Sequence, residues 1–463
     1  MADTTQKEKS WSEKFDRLRT ELGRDWLSYT RESAMARFGA MGFPSPTHEE
    51  WRFTNVAPIT RIPFEPADSS EARVTPADLA PFLFDPEQCH LLVFVNGRHT
   101  PKLSTAQGLP NGVRVMNLAE AMRTEHITVE AHLARHANYQ EQAFIALNTA
   151  FIRDGAFVHI PKGTIVEKPI HLLFVTRTDD RAIVTHPRTL IVAGENSQVT
   201  LVESYAGLGG GPSFTNAVTE IVAGENAVID HYKVEREPDP VFHITARQIR
   251  QARSSNVSSH TLSFGGGLVR NDINTLLGGE GCNCMLNGLY VLNDSQHVDN
   301  HLRVDHASPH CNSWEYFKGI LNDRSHGVFT GRIIVREDAQ KTDAKQSNMN
   351  LLLSESATVN TKPQLEILAD DVKCTHGATI GQIDENAVFY LRSRGVSEEA
   401  ARSLLIYAFA GESIGQIRLA PLREQLQDLL STRLPHGDTL SFGRPFEYSD
   451  DFSEIVRSAD RRR

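Results

Sequence analysis

Apolar residues near the start of the chain recur at steps of three and four: Trp11, Phe15, Leu18, Leu22, Trp26 and Tyr29. That spacing lays them on one stripe and predicts an amphipathic helix. Gly42, Pro44 and Pro46 end the pattern, and Pro58, Pro63 and Pro66 follow in a proline-rich passage. The texture then changes at "CHLLVFVNGRH", a short apolar run closed by Asn-Gly, which predicts a strand and a turn.

From there to about residue 385, short β-like runs alternate with Gly, Asn, Asp and Pro. "TLIVAGENSQVTLVES" (189–204) and "TEIVAGENAVIDHYKV" (219–234) share the string IVAGEN at an offset of 30 residues. Each copy reads as strand, Gly-Glu-Asn turn, strand, the signature of a solenoid coil stacking on its neighbour. Long helical stripes are scarce in between, which disfavours βαβ units. A parallel β-helix accounts best for the pattern, and a β-sandwich is the alternative that two copies alone leave open. The texture turns helical again at "DENAVFYLRSRGVSEEAARSLLIYAF". Gly395 stands where a helix would end, and Ser397 with Glu398 and Glu399 would begin the next. Ala401, Leu404, Leu405 and Ala408 form one stripe, and Leu422, Leu426, Leu429 and Leu430 another. The expected division is a helical N-terminal domain over 1–87, a β-helix core over 88–385, a helical C-terminal domain over 386–435 and a loosely ordered tail over 436–463.

Composition narrows the function classes. At 463 residues, with 40% hydrophobic and 23% charged residues, the chain has the make-up of a soluble globular protein. A net charge of −10 provides no basic field for nucleic acid. No apolar run reaches the length of a membrane span, and the first residues show no secretory or import leader. Five cysteines, an odd and sparse set, point to a reducing, cytoplasmic setting rather than a disulfide framework. GxxxxGK[ST], GxSxG and HExxH are all absent, so the common nucleotide-binding and hydrolase signatures are missing.

Three groups of side chains could carry chemistry. "HVDNHLRVDHASPHC" holds His297, His301, His306, His310 and Cys311. As a strand it would place His297, Asp299, His301, Arg303 and Asp305 on one face and Val298, Leu302 and Val304 on the other. Such a ladder would serve a metal-dependent enzyme on a β-scaffold, or it is the wet face of a solenoid, with Arg303 opposing a cation. Cys282 and Cys284 share a strand face but supply only half a zinc site, and small core residues are the plainer account. A carbohydrate-cleaving β-helix would show a distinctive carboxylate pair, and none stands out. The third group lies in "ADDVKCTHGATIGQID" (369–384). Val372, Cys374, His376, Ala378 and Ile380 alternate with Lys373, Thr375, Gly377, Thr379 and Gly381. By parity Cys374 and His376 belong to the inward register, with Cα atoms roughly 6–7 Å apart. They are core residues, or they are donors for iron that need further ligands from a partner.

"THEEWRFTN" (47–55), "FVNGR" (94–98), "NDINTLLGGEG" (271–281) and the long stretch from "HVDNHLRVDH" through "KCTHG" to "FYLRSRG…LLIYAF" (297–409) carry a resemblance. The chain resembles the SufB/SufD family of iron–sulfur cluster assembly scaffolds, and within it the SufD branch, over roughly residues 10–430. The resemblance implies a right-handed parallel β-helix between helical terminal domains. It implies a non-catalytic subunit that pairs with a SufB-like paralogue through the β-helix, with a homodimer as the alternative assembly. It further implies that the C-terminal helices dock a SufC-like ABC ATPase, so this chain alone would bind no nucleotide. The histidine of the family's KCxHG motif corresponds to His376, with Cys374 beside it, and these would contact a transient cluster shared with the SufB-like partner. The tail and the glycine-rich loop at 207–212 receive no role from it.

Overall fold

The computed structural model describes residues 2–67, 73–85, 87–179 and 181–433, with side chains from Ser10 onward. The tail expected at 436–463 lies outside the described residues. The chain divides after Gly381 into two compact units.

The larger unit is a parallel β-helix. An 11-stranded and a 10-stranded sheet share its coils, the chain crossing from one to the other and back. In the first sheet the strands Ser213–Ala223, Val241–Gln251, Leu268–Leu277, His297–His306, His326–Val335 and Thr358–Ile367 follow one another in parallel. In the second, Gln198–Leu208, Val228–Arg236, Asn256–Ser263, Asn283–Leu292, Asn312–Leu321, Asp343–Leu352 and Lys373–Gly381 do the same.

The IVAGEN repeat is one coil laid on another: Ile191 pairs with Ile221 and Ala193 with Ala223. Its turns explain the string. Asn196 and Asn226 adopt left-handed φ of 55° and 56°, a region asparagine tolerates. Gly224 packs so tightly that a Cβ would lie 2.8 Å from the backbone nitrogen of Glu195. Asn226 also donates to the side chain of Asn196 at 3.0 Å, and Asn283 and Asn312 extend a similar ladder from Asn256. "VFVNGRH" forms the expected hairpin, with positive φ at both Asn96 and Gly97 as a two-residue hairpin turn demands.

Inward positions of both sheets form the main core, including Leu201, Ile229, Val257, Leu286, Leu302 and Phe329, each at most 2% exposed. Outward positions of the first sheet form a second core with the N-terminal helices, where Trp11, Phe15 and Leu18 meet Phe214, Ile244 and Leu268. The expected six-residue stripe is interrupted. Gly23 adopts a φ of 68° and ends the helix Ala2–Leu22, and a new helix, Ser28–Met41, starts after a turn tied by Asp25. Tyr29 consequently faces solvent.

The span expected to be β throughout also contains the helices Leu118–Thr124, His126–His132 and Ala143–Ala150. They lie against the outer face of the first sheet through apolar contacts such as Leu118 and Val129 with Phe157 and Leu190. A buried ion pair anchors them. Arg188 meets Glu220 at 2.6 Å, and Glu220 also accepts from the backbone nitrogens of Ala134, His136 and Ala137.

The smaller unit contains the helices Glu385–Arg392, Glu398–Gly415 and Ala420–Arg433. Gly395 takes a φ of 91°, and the Ser397 hydroxyl accepts from the backbone nitrogen of Ala400, as the sequence suggests. The buried stripe of the middle helix is Ala401, Ile406, Ala410 and Ile414, whereas Leu404 and Leu405 are half-buried and Ala408 is exposed. Leu422, Leu426 and Leu430 are buried as expected, and Leu429 stands beside them half-buried.

Candidate functional site

The strand Lys373–Gly381 is the last of the second sheet, and Thr358–Ile367 is the last of the first. Among the described residues each has a neighbour on one side only, so each ends its sheet in a free edge. Parity places Cys374 and His376 in the inward register. Cys374 aligns with fully buried Ala344, and His376 with Gln346, itself 3% exposed. Inward register does not mean burial here, because among the described residues no further coil of the sheet stacks on this strand. Cys374 is half-buried against Ile333, Val335, Ala339, Ala344 and Ala369. His376 is exposed. Burial, and secondarily the nearby Asp343 carboxylate, push the Cys374 thiol above its ordinary range.

Behind His376 runs a column of inward side chains, one per coil. Toward the terminal strand, register partners follow as His231, Ser259, Leu286, Glu315, Gln346 and His376. Glu315 is buried and accepts from Gln346 Nε2 at 2.6 Å; burial raises its carboxyl to about 7 despite that bond. The sequence offers little sign of this pair. Only the strand register that aligns residues 315, 346 and 376 brings them into one column.

The 297–311 histidines do not converge. Val298, Leu302 and Val304 face the core, as the alternation predicts, and so does His306, which bonds the Ser313 hydroxyl at 2.9 Å. His297 and His301 face outward. Between them lies Asp299, and all three are engaged by the "EEWRFTN" segment. Thr54 Oγ1 donates to Asp299 at 2.6 Å and pairs with His297 Nε2 at 2.9 Å. Glu50 meets His301 at 2.5 Å, and that bond holds its carboxyl down at about 2. Trp51 lies 3.9 Å from the Arg270 guanidinium, which binds Asp299 and the Glu50 carbonyl. This outward ladder is therefore the seat of an N-terminal strap. His310 stands in a turn with a left-handed φ of 59°. Among the described residues, no three His, Cys, Asp or Glu side chains are placed to hold a metal ion.

Cys282, Cys284 and Cys311 are built into the coils. Cys284 points into the core and is fully buried. Cys282 occupies a corner where its thiol donates to the Gly279 carbonyl three residues back. Ser197, Ser255 and Thr342 make the same bond with hydroxyls at other corners. Cys311 is the neighbouring corner residue and bonds the same Gly279 carbonyl at 3.2 Å.

The stacked coils, the strap and the terminal Cys-x-His strand define the class: a β-helix with helical ends and no self-contained metal centre among the described residues. Comparison with known proteins supplies the family. Residues 5–172 match the model of the SufBD protein N-terminal region, and residues 174–409 match that of the SUF system FeS cluster assembly SufBD core domain. An iron–sulfur cluster assembly SufBD family protein of Synechocystis is 36% identical over 411 residues, 87% of this chain and 90% of that one. The iron–sulfur cluster assembly protein SufD of Escherichia coli is 30% identical over 86% of this chain and 90% of its own. SufD of Bacillus subtilis is 27% identical over 88% of this chain and 94% of its own. The chain belongs to the SufBD family of iron–sulfur cluster assembly proteins. No helix among the described residues is long and apolar enough to cross a membrane.

Proposed function

We propose that this chain is a non-catalytic SufD-type scaffold subunit that presents half of a cluster-building site and takes the other half from a SufB-like paralogue. The observation that carries this reading is the terminal coil. It holds a half-buried thiol and an exposed imidazole on one inward-register face, beside two free strand edges. Two soft or borderline donors are too few for a cluster, and a partner strand at those edges would bring in more. The nascent iron–sulfur cluster is cargo at this interface, with His376 as the first donor and Cys374 as the second.

Energy to rearrange the contact with the SufB-like paralogue would come from a SufC-like ABC ATPase docked on the C-terminal helices. Phe389 and Tyr390 favour this, since both are large, apolar and more than half exposed on the helix Glu385–Arg392. A cytoplasmic setting is part of the same reading.

The test is replacement of the chromosomal copy by His376→Ala or Cys374→Ala, followed by activity measurements on iron–sulfur enzymes in iron-limited cells. The His376 variant should lose maturation while still co-purifying with the paralogue and the ATPase. Normal maturation with intact complexes would overturn the assignment.

A further inference from the structure

In the last coils the inward face of the second sheet is polar where a solenoid core is ordinarily apolar. Gln346 and Glu315 lie there side by side, 3% and 2% exposed. Each keeps one oxygen, Gln346 Oε1 and Glu315 Oε1, that is buried and accepts no hydrogen bond from the protein. A buried acceptor without a donor is costly, so its persistence asks for a partner.

The amide geometry says where that partner lies. When ionised, as at pH 8, Glu315 only accepts, and Gln346 then turns Nε2 toward it, one coil back. The amide's oxygen lies across from its nitrogen, on the side of the next coil. On that coil the register partner of Gln346 is His376, one strand spacing away, roughly 4.8 Å. The His376 ring is exposed, and rotation about its side-chain bonds would bring a ring nitrogen to that oxygen. Room for the amide is made from the opposite sheet. A Cβ at Gly331 would lie 2.2 Å from Gln346 Nε2, so the missing side chain leaves the amide its present place.

We infer that Gln346, oriented by Glu315, positions the His376 imidazole by accepting a hydrogen bond from one of its ring nitrogens. A neutral imidazole carries one N–H, and the nitrogen that bears it leaves the other as the lone-pair donor. Fixing that choice and the ring plane prepares a histidine to bind a metal, which is how acceptors behind metal-binding histidines work. Gln346 and Glu315 are thus positioning residues, not ligands. Their use in cluster assembly rests on the scaffold reading above, but the hydrogen bond itself does not.

The experiment uses the full chain labelled with ¹⁵N-histidine at about pH 8, where an ordinary imidazole is neutral. His376→Gln identifies the resonances of His376 among those of the 19 histidines. Wild-type His376 should show one dominant tautomer. Gln346→Met, close in shape but apolar, should shift the tautomer ratio by about fivefold to tenfold, the scale of one ordinary hydrogen bond. Gly331→Ala, which crowds the amide, should shift it in the same sense. Glu315→Gln, nearly isosteric, should also redistribute the tautomers, and it keeps the test available if the other variants disturb the coil. The remaining histidine signals report whether the coils are intact. A ratio unchanged in Glu315→Gln and in every folded Gln346 or Gly331 variant overturns the inference. Lost maturation in His376→Ala together with unchanged tautomers would sink the positioning role and leave the scaffold reading standing. Normal maturation with shifted tautomers would do the reverse.

Discussion

Replacing Glu220 by alanine should release the helical insertion from the β-helix while leaving the coils stacked. Glu220 and Arg188 are both fully buried, and the carboxylate receives Arg188 Nη2 at 2.6 Å and Nε at 3.1 Å. It also receives the amides of Ala134, His136 and Ala137 at 2.8–3.0 Å. Its carboxyl lies below the ordinary range although burial alone, the largest influence, would raise it; Arg188 and the three amides outweigh that burial. Truncation strands the Arg188 charge with only Asn148 and Thr149 as hydrogen-bond partners. Breaking a buried pair in this way costs about 3–5 kcal/mol. Each amide that stays dry and unpaired adds about 1–3 kcal/mol. Opening of the segment to water relieves the second cost, so about 4 kcal/mol should appear as easier local opening. At about 1.4 kcal/mol per decade, exchange of these amides should accelerate by roughly three orders of magnitude. Hydrogen exchange read by mass spectrometry on peptides covering residues 133–150 measures it, with peptides from Asn283–Leu292 as the internal standard. Acceleration under tenfold in the first set, or equal acceleration in both, would refute the idea that this carboxylate fastens the insertion.

Three further outcomes follow from the same structure. Glu315 is buried with a carboxyl raised from 4.5 to about 7. The folded chain therefore holds this proton where the unfolded chain releases it, so stability should decline from about pH 4.5 to about pH 7. The loss is about 3 kcal/mol at most, and urea titrations of Glu315→Gln should lack that component. Gly319→Ala would set a Cβ 2.3 Å from the Tyr290 ring, and overpacking there should lower stability by about 1–3 kcal/mol, read as a reduced denaturation midpoint. On the proposed docking of a SufC-like ATPase, Phe389→Asp with Tyr390→Asp should abolish its co-purification but spare that of a SufB-like paralogue, because both side chains are already exposed and their loss empties no core. Retention of the ATPase would remove these residues from the docking surface.

Legibility in the sequence followed the reach of each physical rule. The IVAGEN copies announced stacked coils because Gly-Glu-Asn meets the same backbone need at two successive corners. Strand parity placed His376 and Cys374 on the correct face because alternation is local. Parity could not tell that this face is open, since burial depends on whether another coil follows. The helices between Leu118 and Ala150 were missed because their apolar residues meet a sheet rather than forming a long stripe of their own. Composition alone gave no hint of the Arg188–Glu220 pair, whose partners stand 32 positions apart and meet only across adjacent strands. The histidine-rich ladder shares a face as alternation demands, but no local rule shows that this outward face meets the strap at Glu50–Thr54.

The coil register has a metric consequence. From Gly155–Ile160 to Thr358–Ile367 the first sheet advances through eight successive strands, a span of roughly 34 Å at about 4.8 Å per strand. The β-helix is thus a ruler graduated in whole coils. Adding or deleting one coil would move the terminal Cys-x-His strand by a single graduation without disturbing the corners. A shift of one residue within a coil would instead turn every side chain of that strand to the opposite face. Length changes in such a chain should therefore be tolerated in steps of one coil, about thirty residues by the IVAGEN offset, so that the distance from the strap to the terminal strand is quantised.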